Sequence, residues 1–370
     1  MDFSFYKNKK VLVTGHTGFK GAWLCKLLLM QEAEVVGYSL EAPTEPSLFK
    51  LLGLETQMTS VIGDIRDFEK LSETFEKYQP EIVLHLAAQP IVRTSYKEPR
   101  QTYETNVMGT VNICECVRNS KSVRSFLNVT TDKVYKNNEW DKGYREEDPL
   151  DGYDPYSNSK SCSELVPHSY INSFFKEAGI AASTARAGNV IGGGDFALDR
   201  IIPDCVRAVK KNEAIIIRNP HSTRPYQHVL EPLVMYLTIA MEQFLNADKQ
   251  GYYNVGPDDC DCVTTGELVE LFAKHYGEGF SAEIAKDNNG PHEANFLKLD
   301  NSLVKATFGY APTWHIDEAV AKTVEWTKVW MADSSKVAMN QILEKQIKTK
   351  ERVADHGEVF TAEREVKAMC

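Results

Sequence analysis
The sequence predicts an α/β fold, a doubly wound parallel sheet followed by a smaller C-terminal α/β region. Three observations carry that reading. A short apolar run ends in a glycine turn and continues into an apolar helical pattern over residues 10–30. Strand-like runs then alternate with helical patterns as far as residue 187. Finally, Gly192-Gly193-Gly194 opens an irregular, polar stretch where the chain leaves the sheet.

Taken in order, Lys10 to Thr14 has the pattern of a buried strand, and Ala22 to Met30 is apolar at helical spacing. Gly15, Gly18 and Gly21 stand between them. In a dinucleotide-binding (Rossmann) turn the first glycine permits the tight bend and the second lets a pyrophosphate approach backbone N–H groups. The third lets the helix pack closely on the sheet. The spacing is Gly-x-x-Gly-x-x-Gly, not the commoner Gly-x-Gly-x-x-Gly, so the strand–turn–helix context carries the assignment. Glu34 to Ser39 reads as the second strand, and Tyr38, Ser39 and Glu41 are candidates to meet an adenosine ribose. No arginine lies between Gly37 and Lys50 to receive a 2′-phosphate, which favours NAD over NADP. Val61 to Asp67 closes a third strand, with an acidic end suited to accept from the adenine amino group. Glu81 to Gln89 is a fourth strand whose small terminal residues let the backbone lie against a flat ring; His85 within it reads as a core histidine. Thr105 to Val111 opens a helix on which Asn106 is either a polar cap or a brace for the active-site backbone. A fifth strand ends at Thr131, a helix starts at Pro155, and Ala181 to Ala187 supplies a sixth strand. This order divides the chain into an NAD-binding domain over 1–188, rejoined at about 228–257, and a mainly substrate-binding domain over 189–332. Trp314 to Trp330 reads as an amphipathic helix closing the latter, and 333–370 as a charged surface helix with a frayed end.

Composition narrows the function classes. A net charge of -10 argues against a nucleic-acid or anionic-membrane footprint, which needs a basic face. No apolar run reaches the length of a membrane span, and the first residues lack a signal-peptide core. The Cys114/Cys116 and Cys260/Cys262 pairs have a one-residue gap, which is not a usual zinc spacing. Free thiols in a reducing cytoplasm follow, with no metal site.

The sharpest chemical pattern is Asp154-Pro155-Tyr156-Ser157-Asn158-Ser159-Lys160, preceded by Thr131-Asp132-Lys133. Pro155 suits a first helical turn, so Tyr156 and Lys160 stack on one helix face. An ammonium beside a phenol favours the phenolate and is expected to lower the pKa of Tyr156 toward neutrality. Thr131 can offer its hydroxyl to the same substrate oxygen. Together the three can take a proton from a secondary alcohol while a nicotinamide takes the hydride. A lone Tyr-x-x-x-Lys is common and usually means a packed tyrosine and a solvated lysine; the glycine turn and strand order raise its weight here. Arg200, Arg218 and Arg224 with His228 are candidates to clamp a diphosphate, although any one of them alone reads as a surface residue. Pro291-His292-Glu293 sits in a second loop of the same kind.

These residues resemble the extended short-chain dehydrogenase/reductase superfamily, and within it the CDP-glucose branch of the nucleotide-sugar 4,6-dehydratases, over roughly 8–330. The strings that carry the resemblance are Thr-Gly-His-Thr-Gly-Phe-Lys-Gly (14–21), Ala-Pro-Thr-Glu-Pro-Ser-Leu-Phe (42–49), Gly-Asp-Ile-Arg-Asp (63–67) and Thr-Asn-Val-Met-Gly-Thr (105–110). Glu139-Trp140 with Gly143-Tyr144-Arg145-Glu146, Gly-Asn-Val-Ile-Gly-Gly-Gly-Asp (188–195) and Arg-Pro-Tyr-Gln-His-Val-Leu-Glu-Pro (224–232) complete the set. Departures are Tyr226 and Phe196 in place of tryptophan, Glu41 in place of aspartate, and the extra tail. The resemblance implies cofactor contacts from Gly15, Thr17, Gly18, Phe19, Lys20, Tyr38, Asp64, Ile65, Leu86, Ala87, Ala88, Gln89, Asn106, Tyr156 and Lys160. It implies substrate contacts from Gln89, Arg93, Asn189, Arg200, Arg218, Arg224, His228 and His292. The implied reaction is internal redox on CDP-glucose: oxidation at C4, loss of water across C5 and C6, and return of hydride to C6, serving deoxysugar and lipopolysaccharide O-antigen synthesis. Asp132 is then the acid at C6. For the C5 proton two readings stand open, a neutral Lys133 or Tyr156 itself. A cytoplasmic homo-oligomer, dimer or tetramer, paired through two helices is also implied. The rivals are a nucleotide-sugar 4-epimerase, which has no use for Asp132-Lys133, and a non-catalytic NAD(H) sensor, which has no need to keep both Tyr156 and Lys160.

Overall fold
The computed structural model describes residues 2–285 and 295–356, the last five of these by backbone alone. Six strands follow the predicted order: β1 Lys10–Thr14, β2 Glu34–Ser39, β3 Thr59–Ile62, β4 Ile82–His85, β5 Ser125–Thr131 and β6 Ala181–Ala187. With Tyr252–Val255 they form a seven-stranded sheet in which β3, β2, β1, β4, β5, β6 and Tyr252–Val255 lie side by side. Every pairing is parallel. Alternation along β1 shows why both faces are covered. Val11 and Val13 point into one apolar layer, with Trp23 and Leu24 of α1 (Phe19–Met30) and Leu233 of the Leu230–Leu245 helix. Leu12 points into the other layer. That second layer holds Leu71 and Phe75 of α3 (Phe68–Tyr78) and Ile113 of α6 (Gly109–Asn119), whereas α2 (Leu48–Leu52) lies with the first. Because β2 pairs on one side of β1 and β4 on the other, the order reverses there and a crevice opens beyond their carboxyl ends.

Two expectations change. The helix expected to open at Thr105 starts earlier: α4 (Val92–Lys97) gives way to α5 (Pro99–Tyr103), and a π turn over Glu104–Met108 runs straight into α6. Pro99 provides the start, since its ring is preset for a first turn. The C-terminal segment is no mere surface helix. Lys336–His356 buries Met339, Leu343 and Ile347, and Lys26 of α1 pairs with its Glu344 at 2.7 Å. Those apolar residues recur every four positions, a stripe that a reading by charge balance overlooks.

The helix α7 (Pro155–Tyr170) begins as its sequence requires. Asp154 accepts from the Ser157 N–H at 3.0 Å, a cap worth about 1 kcal/mol. Beyond β6 the smaller region is built from three two-stranded sheets: Val190–Ile191 with Gln227–His228, Thr223–Pro225 with Cys262–Thr264, and Ile215–Ile217 with Ala282–Ile284. The Ile316–Ala332 helix packs against it. His292, one of the expected substrate residues, lies outside the described residues, as does the rest of its loop.

Candidate active site
The glycine turn has the shape its spacing implies. Gly15 takes φ +76°, a left-handed conformation, and a Cβ there would stand 3.0 Å from the Ala87 nitrogen. At Gly21 a Cβ would stand 2.1 Å from the Gly15 carbonyl oxygen, so α1 can approach the turn only without a side chain. Gly18 occupies the cap position of α1 without a side-chain cap, which leaves first-turn N–H groups for an anion. Thr17 ties the turn to the end of β2 through Ser39 Oγ and the Leu40 carbonyl, both at 2.9 Å, and Phe19 lies beside Gly192. These features fit a dinucleotide pyrophosphate.

The neighbouring strand ends are fastened by polar side chains. Thr14 Oγ1 accepts from the Leu86 and Ala87 N–H groups at 3.1 Å and pairs with His85 Nδ1 at 2.7 Å. His85 is indeed a satisfied core histidine; burial and then the Lys160 charge hold its pKa down to about 3. Tyr38 is fully buried and donates to the Asp64 carbonyl at 2.9 Å. The Asp64 carboxylate is gripped by Arg66 at 2.6 Å, whose hydrogen bonds hold it below the usual carboxylate range. Ile65 is buried beside it. Asn106 braces the backbone and caps nothing. From within the π turn its Oδ1 accepts from Gln89 N at 2.8 Å, while its Nδ2 donates to Gln89 O at 3.1 Å and to Ser159 Oγ at 2.9 Å. The turn holding Ala88 and Gln89 is thereby hooked to α7. Gln89 spends its own amide on Thr102 and on the Ile91 N–H.

At the end of β5 the expected catalytic groups come together. Thr131 donates to Asp132 Oδ1 at 2.8 Å, and the other oxygen of Asp132 is buried with no partner among the described residues. Tyr156 and Lys160 project from α7, and Thr131 also bonds the phenol. Lys133 is half-buried, its backbone N–H on Thr131 Oγ1 at 3.4 Å. One expectation fails. Lys160 Nζ donates to the Val129 carbonyl at 2.9 Å, and burial pushes the Tyr156 phenol up to about 12 instead of down toward neutrality. Asp132 pushes it the same way, while Thr131 and Arg200 oppose. The spacing puts phenol and ammonium on one face, but the ammonium is docked on the Val129 carbonyl and dehydration of a mostly buried phenol dominates. Burial likewise draws Lys160 down to about 8, with Glu164 opposing. Lys20, assigned to the cofactor from sequence, joins the same cluster: burial, then Arg200 and Lys160, bring it to about 8 against Asp132 and Asp195.

The diphosphate candidates divide. Arg93 and Arg218 both reach Asp199, at 3.9 and 3.2 Å, and Arg200 reaches Asp195 at 2.9 Å. Asn189 lies half-buried before that loop, its carbonyl accepting from Gln227 N. Arg224 is buried and donates to the Thr223 carbonyl. His228 is a correction. It is fully buried, its ring edge-on to Trp314 at 4.8 Å and to Trp23 at 5.8 Å, and burial and then the Lys350 and Lys322 charges hold its pKa to about 3. A neutral imidazole walled by indoles cannot clamp a phosphate. Sequence reasoning missed Asp195 and Asp199, although the triple glycine before Asp195 and the Asp199-Arg200 pair were signals. One potential metal-ligand group exists among the described residues, Cys260, Asp261 and His315. Its Asp261 already holds His315 Nδ1 and the Ile316 N–H, both at 2.9 Å.

The parallel sheet, glycine turn and Tyr-Lys helix define a short-chain dehydrogenase/reductase type of protein. The model of the family described as GDP-mannose 4,6 dehydratase matches residues 12–323, and the chain belongs to that family. CDP-glucose 4,6-dehydratase of Salmonella typhimurium is 48% identical over 338 residues, covering 90% of this chain and 94% of that protein. Among solved structures, UDP-glucose-4-epimerase of Stenotrophomonas maltophila superposes with a TM-score of 0.77 at 19% identity, over 88% of this chain and 99% of the other. The NAD complex of dTDP-glucose 4,6-dehydratase from Bacillus anthracis gives 0.70 at 20%, over 89% and 99%. At these identities the two structures share the fold.

Proposed function
We propose that the protein is an NAD-dependent dehydratase that converts CDP-glucose into CDP-4-keto-6-deoxyglucose. The observation that carries this reading is the buried, unpartnered oxygen of Asp132 beside Thr131 and Tyr156. An epimerase needs an acid–base group at C4 alone; a dehydratase also needs an acid for the departing C6 hydroxyl, and Asp132 is placed to be it. The relative from Salmonella typhimurium, named for this activity, supports the choice of nucleotide.

Gly15, Gly18 and Lys20 would hold the cofactor's phosphates, Asp64 and Tyr38 would border its adenosine, and the small residues of the 86–89 turn would let its backbone lie against the cofactor. When bound, NAD would supply a positive ring that favours the phenolate and a reversible store for the hydride exchanged between C4 and C6, so no external reductant would be consumed. Tyr156, held by Thr131, removes the C4 hydroxyl proton. The resulting 4-ketone acidifies C5–H. Asp132 protonates the C6 oxygen, which leaves as water as the C5 proton is taken. Lys133 and Tyr156 are the two candidates for that proton, and C5 exchange in deuterated water by Lys133→Met decides between them: exchange that survives removes Lys133. Arg93, Arg200 and Arg218 receive the diphosphate. Incubation with NAD and CDP-glucose without reductant tests the whole reading. A base-developed 4-keto-6-deoxy chromophore is expected; inverted C4 configuration would establish an epimerase, and no turnover a sensor. Comparing kcat/KM for CDP-, TDP-, UDP- and GDP-glucose checks the nucleotide.

The working state is a cytoplasmic homo-oligomer. Exposed Met108, Leu165 and Phe174, on the π turn, on α7 and just beyond it, support pairing along that face, and light scattering measures it. Among the described residues no helix is long and apolar enough to cross a membrane. Deoxysugar synthesis for lipopolysaccharide O-antigen is the pathway this product would serve.

A further inference from the structure
We propose that Glu164, clamped by Arg186 and Thr130, is a positioning residue that keeps Lys160 charged and docked beside Tyr156. The inference rests on the catalytic reading of Lys160 above.

Glu164 and Arg186 are among the most deeply buried charges in the described residues, with side chains 1% and 3% exposed. Arg186 Nε reaches both carboxylate oxygens, at 3.1 and 2.9 Å, and Nη2 adds a third contact at 2.7 Å. Thr130 Oγ1 donates to Glu164 Oε1 at 2.6 Å. The guanidinium turns its remaining donors away, Nη1 to Tyr135 Oη at 2.6 Å and to the Glu146 carbonyl at 3.0 Å. Glu164 follows Lys160 by one helical turn on α7, so both side chains descend from one face onto β5. Lys160 lands on the Val129 carbonyl, Glu164 on the Thr130 hydroxyl, and the next residue is Thr131. Three successive residues of β5 thus receive the lysine, its carboxylate neighbour and the phenol's partner.

Stability alone does not call for this arrangement. A buried ion pair gives up hydration, and a packed apolar pair of similar volume usually folds as well or better. What the apolar pair lacks is a negative charge near Lys160. The groups on other elements that sense that lysine are Lys20 from α1 and neutral His85 from β4. Burial presses Lys160 to lose its proton, and Glu164 opposes it.

The test is a titration of Lys160 by carbon-13 NMR of ε-labelled lysine, with its resonance assigned by its loss in Lys160→Met, alongside the pH profile of kcat/KM. In Glu164→Gln the Lys160 midpoint and the alkaline limb of the profile should both fall by about one pH unit. Glu164→Asp, which keeps the charge, should restore most of the shift. The double variant Glu164→Met with Arg186→Met removes both charges but fills the space, so it serves if the glutamine variant does not fold, and it should show a fall in the same direction, smaller because the Arg186 cation leaves with the anion. A Lys160 midpoint unchanged in a folded charge-free variant, whatever its melting temperature, overturns the proposal. Absence of CDP-glucose turnover by the wild type would instead overturn the function, and the titration would still be readable.

Discussion

Two ion pairs are buried to nearly the same depth, and they hold the molecule together in different places. Arg186–Glu164, at 3% and 1% exposure, joins α7 to β5 and β6 beside the reacting groups. Lys350–Glu231, at 3% and 0%, joins the C-terminal helix to the Leu230–Leu245 helix behind the sheet. Glu231 also accepts from Tyr310 Oη at 2.7 Å and the Trp314 N–H at 2.8 Å, so it gathers two segments that follow it in the chain. The same chemistry therefore does two jobs. Near the site the carboxylate stands one turn from a lysine that must stay charged; behind the sheet it holds Lys350, a phenol and backbone N–H groups, and its effect is cohesion.

The comparison can be broken at either end. The largest effect on turnover is expected near the site from Tyr156→Phe. Loss of the proton-transfer group should lower kcat about 10²–10⁴-fold, and the melting temperature should barely move, read by initial rates and calorimetry. Next comes the remote pair. Lys350→Met leaves a buried carboxylate short of its cation and should cost about 3 kcal/mol of stability, measured by urea denaturation, while kcat per folded molecule stays near wild type. A large fall in kcat there would erase the distinction between the two pairs.

Acid should weaken both regions together. His85, near the site, and His228, under the C-terminal helix, have folded pKa values of about 3. His16, packed against Phe49, is held to about 4, first by burial. Each folded value lies below the unfolded 6.5, so the unfolded chain binds more protons once the pH drops under 6.5. Stability from these histidines is complete above pH 6.5 and is lost as the pH falls toward 4 and then 3, at about 1.4 kcal/mol per pH unit for each. Denaturation midpoints between pH 7 and 5 check the slope, and His228→Phe should flatten it. The smallest effect belongs to Asp199, which occupies both Arg93 and Arg218 in a partly exposed cluster. Asp199→Ala should change stability by less than about 1 kcal/mol. It should lower KM for the nucleotide sugar, and the gain should shrink in high salt, because two guanidiniums are released for a diphosphate.

Much of the site was legible where chemistry and chain order coincide. The glycine turn, the β5 terminus and the Tyr156/Lys160 pair lie in short strings, so spacing alone brings their members together. Asn106 was half legible: its two candidate roles were visible, but the π turn that aims it at Gln89 was not. His228 misled because a histidine in a polar string looks like a ligand until indoles are seen on both sides. The Tyr156 pKa misled for a related reason, since spacing shows which charge is near but not how dry the surroundings are.

The succession of strands and helices along the chain, and so the doubly wound class, was determined by the sequence itself, because apolar periodicity is a local property that sets which side of an element must leave water. Which buried charge meets which was decided by the tertiary structure alone. Glu164 and Arg186 come from different elements, and Glu231 and Lys350 from distant ones, so no local pattern encodes their pairing. Low-polarity surroundings make an unpaired charge costly, and that cost selects the partners only once the layers have closed around them.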